Sequence, residues 1–156
     1  MSTEKWIAGS GVGFTWTAAF GAEVTTTALA SGNAVLSSVI IDNTTALDVF
    51  MDVSISLASI TPTGTPYIGL YLYPLNQDTT TYGDGKFGSA AAGPPASQYW
   101  AGNIPAVASA GVQIGMLRDI VLPPWKFKLV FYNVLGVAIA ASGNVVKYTT
   151  HNRAVA

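Results

Sequence analysis

A chain of 156 residues with 7 Lys and Arg against 8 Asp and Glu carries a formal net charge of −1, and so few scattered cations cannot form the basic face that nucleic-acid binding needs. The cysteine count is 0, which excludes disulfides and thiolate metal sites and suits assembly in a reducing cytosol. Charged residues make up 10% of the chain, where about 25% is ordinary for soluble domains, so much of the surface is expected to lie against other subunits.

The first eleven residues, Met1 to Gly11, show no alternation and end in Gly9-Ser10-Gly11. They are expected to form a flexible N-terminal arm, with a single β-sandwich domain over 12–156. The run Gly9 to Gly13 lacks the Gly-Lys-Ser/Thr ending of a phosphate loop and opens no helix. From Val12 to Phe20 the even positions Val12, Phe14, Trp16, Ala18 and Phe20 are apolar, which predicts a strand with those residues inward. Weaker strands are expected at Glu23–Leu29 and Asn33–Asp42.

From Leu47 to Leu57 the odd positions Leu47, Val49, Met51, Val53, Ile55 and Leu57 are apolar, while Asp48 and Asp52 fall on the other face. A strand that long is expected to bend or bulge. Next, Ile68, Leu70 and Leu72 alternate with Tyr67, Gly69, Tyr71 and Tyr73. The segment 76–105 is irregular, rich in Gly, Ala, Thr and Pro, and carries Tyr82, Phe87, Tyr99 and Trp100; long ordered loops usually contact something.

Further on, Val112, Ile114 and Met116 alternate with Gln113 and Gly115, predicting that the apolar set faces the core. Pro123-Pro124 separates that strand from the one carrying Phe127, Leu129 and Phe131. A turn at 133–136 and strands at 136–140 and 144–150 complete the chain. No helical stripe interrupts the pattern. About eight to ten short strands predict an all-β, two-sheet sandwich of jelly-roll type.

Candidate chemistry is sparse. The single histidine, His151, is followed by Asn152 and Arg153, which are not an activating pair. Asp48 and Asp52 stand roughly 13 Å apart along one strand face, beyond the ~5–9.5 Å carboxyl separations of glycosidases. Asp78 and Asp84 flank a Gly-bearing loop without EF-hand spacing. Asn43-Thr44-Thr45 matches a glycosylation sequon, a pattern with a high chance rate. No catalytic, cofactor-binding or metal-ligating residue is expected, and the chain is not read as an enzyme. Mean hydropathy is +0.41, yet the longest nearly apolar run, 129–141, is well short of the ~20 residues of a spanning helix. Residues 1–6 lack a signal peptide's apolar stretch. Neither insertion nor export is expected.

The expected protein-contact surface comprises Tyr67, Tyr71, Tyr73, Tyr82, Phe87, Tyr99 and Trp100, because Tyr and Trp bring large contact area at low entropic cost. The same residues could stack on sugars.

The segments Tyr67-Ile68-Gly69-Leu70-Tyr71-Leu72-Tyr73-Pro74-Leu75-Asn76, Gly115–Asn133 with Leu122-Pro123-Pro124, and Ala141-Ser142-Gly143-Asn144 with Tyr148 and Asn152-Arg153 resemble small virion proteins of tailed bacteriophages. The resemblance implies a capsid decoration, or cement, protein with a jelly-roll fold. Such a protein would sit on the outer shell, bridge major capsid protein subunits, form a homo-oligomer, most simply a trimer, and assemble in the host cytoplasm. The alternative is a carbohydrate-binding or receptor-binding module of a tail or adhesin. Neither nucleic acid nor membrane is an expected partner.

Overall fold

The computed structural model describes residues 4–8, 17–20, 24, 28–76 and 90–155. In chain order the strands are β1 (Glu4–Ala8), β2 (Thr17–Ala18), β3 (Asn33–Leu36), β4 (Ile41–Asp42), β5 (Phe50–Ile60) and β6 (Tyr67–Pro74). They continue with β7 (Ala90–Ala92), β8 (Trp100–Pro105), β9 (Gly111–Val121), β10 (Lys126–Val134) and β11 (Val145–Val155). Every pairing is antiparallel. The first sheet runs β1-β11-β5-β9 with β2 also on β11, and the second runs β7-β3-β10-β6-β8 with β4 also on β10. The two sheets pack as an all-β sandwich.

Alternation explains the core. Met51, Val53, Ile55 and Leu57 of β5 meet Ile68 and Leu70 of β6 and Phe127, Leu129 and Phe131 of β10 in one buried cluster. Phe20 joins it edge-to-face against Phe131, at 6.0 Å between ring centres. Each such side chain contributes about 1.5–3 kcal/mol on full burial.

Buried asparagines close the loops where strands end. Asn133 donates to the carbonyls of Leu29 and Val137 and accepts from the Leu135 amide. Asn144 donates to Val24 and Ala140 and accepts from Ala58. Asn43 donates to Asp48 and Pro123 and accepts from the Asp48 amide. Its amide is thus buried and committed, which leaves the sequon without an accessible acceptor in the folded chain.

Four expectations are corrected. Residues 4–8 do not stand off as an arm: β1 lies along β11, with Glu4 opposite Val155 and Ala8 opposite His151. The backbone of β11 supplies the partner there, so no side-chain alternation is needed to place the strand. At the next strand only Thr17 and Ala18 pair, both exposed, while the adjacent Ala19 and Phe20 are buried together; residues 12–16 lie outside the described residues. Leu47 and Val49 are exposed and Asp48 is buried, because the Asn43 turn, with Leu47 at φ 49°, delays the regular strand to Phe50.

The fourth correction concerns β9, whose faces are reversed. Gln113 stands opposite Leu57 and Gly115 opposite Ile55, both inward, so Val112, Ile114 and Met116 point out. Two features enforce this. A Cβ on Gly115 would collide with Ile104 Cγ2 across the sandwich, so a side chain here would force Ile104 to shift. Buried Gln113 accepts from the Val107 amide and donates to the carbonyls of Ser109 and Gly111, filling the β8–β9 crossover between the sheets with its hydrogen bonds satisfied. An extra residue at Arg118–Asp119, where Asp119 has φ 58°, then restores Ile120 to the core. A second irregularity falls between Leu57 and Ile60, the bulge that the length of β5 predicts.

Candidate contact surface

The outer face of the second sheet carries its own apolar layer. Ala34, Leu36, Val130, Tyr71 and Tyr73 form a second buried cluster, with Tyr99 and Tyr132 packed against it. Tyr73 is wholly buried: its ring lies 4.5 Å from that of Tyr99, and its hydroxyl accepts from the Ala96 amide at 3.3 Å. The segment around Ala96 to Tyr99 therefore folds back across the strand face. Burial, followed by the neighbouring Tyr67 and Tyr132, pushes the Tyr71 phenol above its ordinary 10.0.

The expected contact surface is corrected accordingly. Tyr71 and Tyr73 belong to the fold rather than to a free surface, because chain from the loop covers them. Tyr67 and Tyr99 are half-buried, and Trp100 is 55% exposed. Tyr82 and Phe87 lie outside the described residues.

Trp100 has a companion that, like it, stands near a Pro-bearing segment. Trp125, 50% exposed, joins Trp100, Tyr99, Gln98, Val121 and Pro123 along an open cleft of ≈ 380 Å³. The register slips between Leu70 and Tyr71 where β6 meets β8, leaving Trp100 at the sheet margin. Its indole Nε1 donates to Asn103 Oδ1 at 3.1 Å, which fixes the ring. The Trp125 turn is held on one side by Asn43 bonding to the Pro123 carbonyl, and on the other by Lys126 pairing with Asp42 at 3.2 Å. Among the described residues, no charged side chain lines the cleft. Such a surface offers flat apolar area and a few polar edges. The sequence signal for Trp125 was a bulky ring directly after Pro-Pro, in a turn that a small residue would fit more easily.

The chain's acid–base groups meet elsewhere. Asp52, Asp119 and His151 bring ligand-capable atoms within 4.8 Å of one another. Asp52 Oδ1 accepts from the Asp119 amide at 2.9 Å, and His151 Nε2 lies 3.4 Å from Asp119 Oδ1. His151 is buried, stacks on Phe50 at 5.7 Å, and Arg153 sits over the same Phe50 ring at 4.9 Å. These contacts fasten the β9 bulge to β5 and β11. Asp48, expected on the same outward face as Asp52, is buried instead and accepts from Asn152 Nδ2 at 2.9 Å. Asp78 and Asp84 lie outside the described residues.

Among the described residues, no helix is long and apolar enough to cross a membrane. Comparison with protein-family models, with curated proteins and with solved structures found no match to this chain.

Proposed function

We propose that this chain is a structural virion protein that decorates the capsid of a tailed phage, bridging major capsid protein subunits as a homo-oligomer on the outer shell. Its work is burial of apolar area, with no catalytic step. The observation that carries this reading is the uncharged cleft between Trp100 and Trp125, two half-exposed indoles. Buried against a partner, anchors of this type each account for about 2 kcal/mol or more of binding. The strand order β1-β11-β5-β9 against β3-β10-β6-β8, with the chain crossing between sheets from one long strand to the next, supports the jelly-roll assignment.

Gold-labelled antibody against the chain, imaged by electron microscopy on intact particles, tests the location. Label spread over the shell is expected; label confined to the tail, or absent from particles, overturns the reading. The same two indoles favour one other reading, a carbohydrate-binding module, since flat rings with polar edges stack on pyranose faces. Tail-confined label together with glycan-array binding that is lost in a Trp100→Ala, Trp125→Ala variant would establish that alternative.

A further inference from the structure

We propose that β9 is a self-association strand: its free edge pairs antiparallel with β9 of a second copy across a two-fold axis at Ile114. This surface is separate from the tryptophan cleft and does not depend on what the cleft holds.

The first argument is the sheet edge. Among the described residues no strand pairs with the far side of β9, which makes β9 the edge of its sheet there. The other sheet edges are short or interrupted. β1 has 5 residues and β7 has 3. β8 has 6 residues, ends in Pro105 and slips register at its start. β9 has 11 residues. Its stretch Gly111–Leu117, before the Asp119 bulge, carries neither proline nor charge. Proteins blunt such edges unless they are used, because a long, uncharged, open strand pairs with any copy that meets it.

The second argument is the row of side chains along that edge. On the outer face Val112, Ile114 and Met116 of β9 are 57, 75 and 38% exposed, and Val145 of β11, beyond β5, is 43% exposed. Pairing two β9 edges continues the sheet, so the flanks of Val112, Ile114 and Met116 meet their counterparts as cross-strand pairs while the outer face stays open. Ser54 and Ser56, opposite Met116 and Ile114 on β5, continue the face without charge, and Lys147 and Arg118 stand at its margins. A two-fold pairing is self-complementary: each β9 residue meets its counterpart on the other side of the axis. Ile114 is the midpoint of Gly111–Leu117 and the most exposed of the four, so it sits at the axis, with Met116 facing Val112 of the other copy. The resemblance implies a trimer; the pairing proposed here is two-fold instead.

Sedimentation equilibrium on the purified chain is the test, supported by cross-linking that the absence of cysteine makes clean. The wild-type chain is expected at twice its 16.2 kDa. Ile114→Lys sets two ammonium groups against each other and is expected to raise the dissociation constant by roughly 30-fold or more. Its circular dichroism and melting temperature should stay unchanged, because Ile114 touches little of its own chain. Ile114→Cys should oxidise to a covalent dimer much faster than Ala141→Cys, an exposed loop control. A wild-type monomer, a trimer with or without sensitivity to Ile114→Lys, or equal cross-linking of the two cysteine variants would overturn the proposal.

Discussion

Replacing Tyr73 distinguishes a tyrosine that holds the fold from one that waits for a partner. Tyr73→Ala removes a wholly buried ring, its 4.5 Å contact with Tyr99 and the acceptor for the Ala96 amide. Large-to-small replacement of a buried aromatic costs about 3–5 kcal/mol, against a total stability of about 5–15 kcal/mol for a domain. At roughly 2–4 °C per kcal/mol for a chain of this size, the melting temperature should fall by about 6–20 °C. Tyr73→Phe keeps the ring and loses one hydrogen bond, worth about 1 kcal/mol, so it should fall by only a few degrees. Thermal melts followed by circular dichroism, with urea titration as a check, measure both. A Tyr73→Ala melting temperature within 2–3 °C of wild type would mean that the Ala96–Tyr99 segment does not seal this face, and the contact-surface reading of Tyr71 and Tyr73 would return.

Two further outcomes are expected. Gly115→Ala should cost about 1–3 kcal/mol by overpacking against Ile104, measured by urea unfolding; a neutral result would show that Gly115 does not face the core and that the face assignment of β9 is wrong. The Tyr148 and Tyr71 phenols are held above 10.0, chiefly by burial, so the unfolded chain ionises first and stability should decline as pH rises past about 10. Tyr148→Phe should blunt that decline, and tyrosinate absorbance of the folded protein that titrates wholly at the ordinary value would refute it.

Alternation made β5, β6 and β10 legible because in each the two faces differ in kind, with Met51, Val53 and Ile55 set against Asp52, Ser54 and Ser56. The same rule misassigned β9, where period two gives the two sets of residues but not which set faces the core. That choice was made by the clearance at Gly115 and by the hydrogen bonds of Gln113, both long-range facts. The outward direction of Tyr71 and Tyr73 was legible, whereas their burial was not, since it depends on a return of the chain through residues without periodicity. Asp52, Asp119 and His151 meet through the registers of three strands, and no sequence spacing reports that.

The burial of the tyrosine layer also changes what low charge means for this chain. Part of the apolar excess is absorbed internally, by Tyr71, Tyr73, Leu36 and Val130, so composition alone overstates the surface left for partners. Of what stays exposed, β9 carries Ile114 near its start and Val121 at its end, in the wall of the tryptophan cleft. From Ile114 to Val121 the strand covers roughly 20 Å at strand rise. A two-fold at Ile114 therefore sets two clefts roughly 40 Å apart, at opposite ends of a continuous sheet. One cleft can only attach; two on a rigid body can bridge. The second contact then forms at a high effective concentration, so weak clefts on a pair hold more tightly than either does alone. On the proposed reading, self-association through β9 and attachment through Trp100 and Trp125 use separate surfaces, and bridging of shell subunits would need both. Ile114→Lys should accordingly weaken retention on the shell while leaving the affinity of each single cleft intact, an outcome that separates avidity from contact loss.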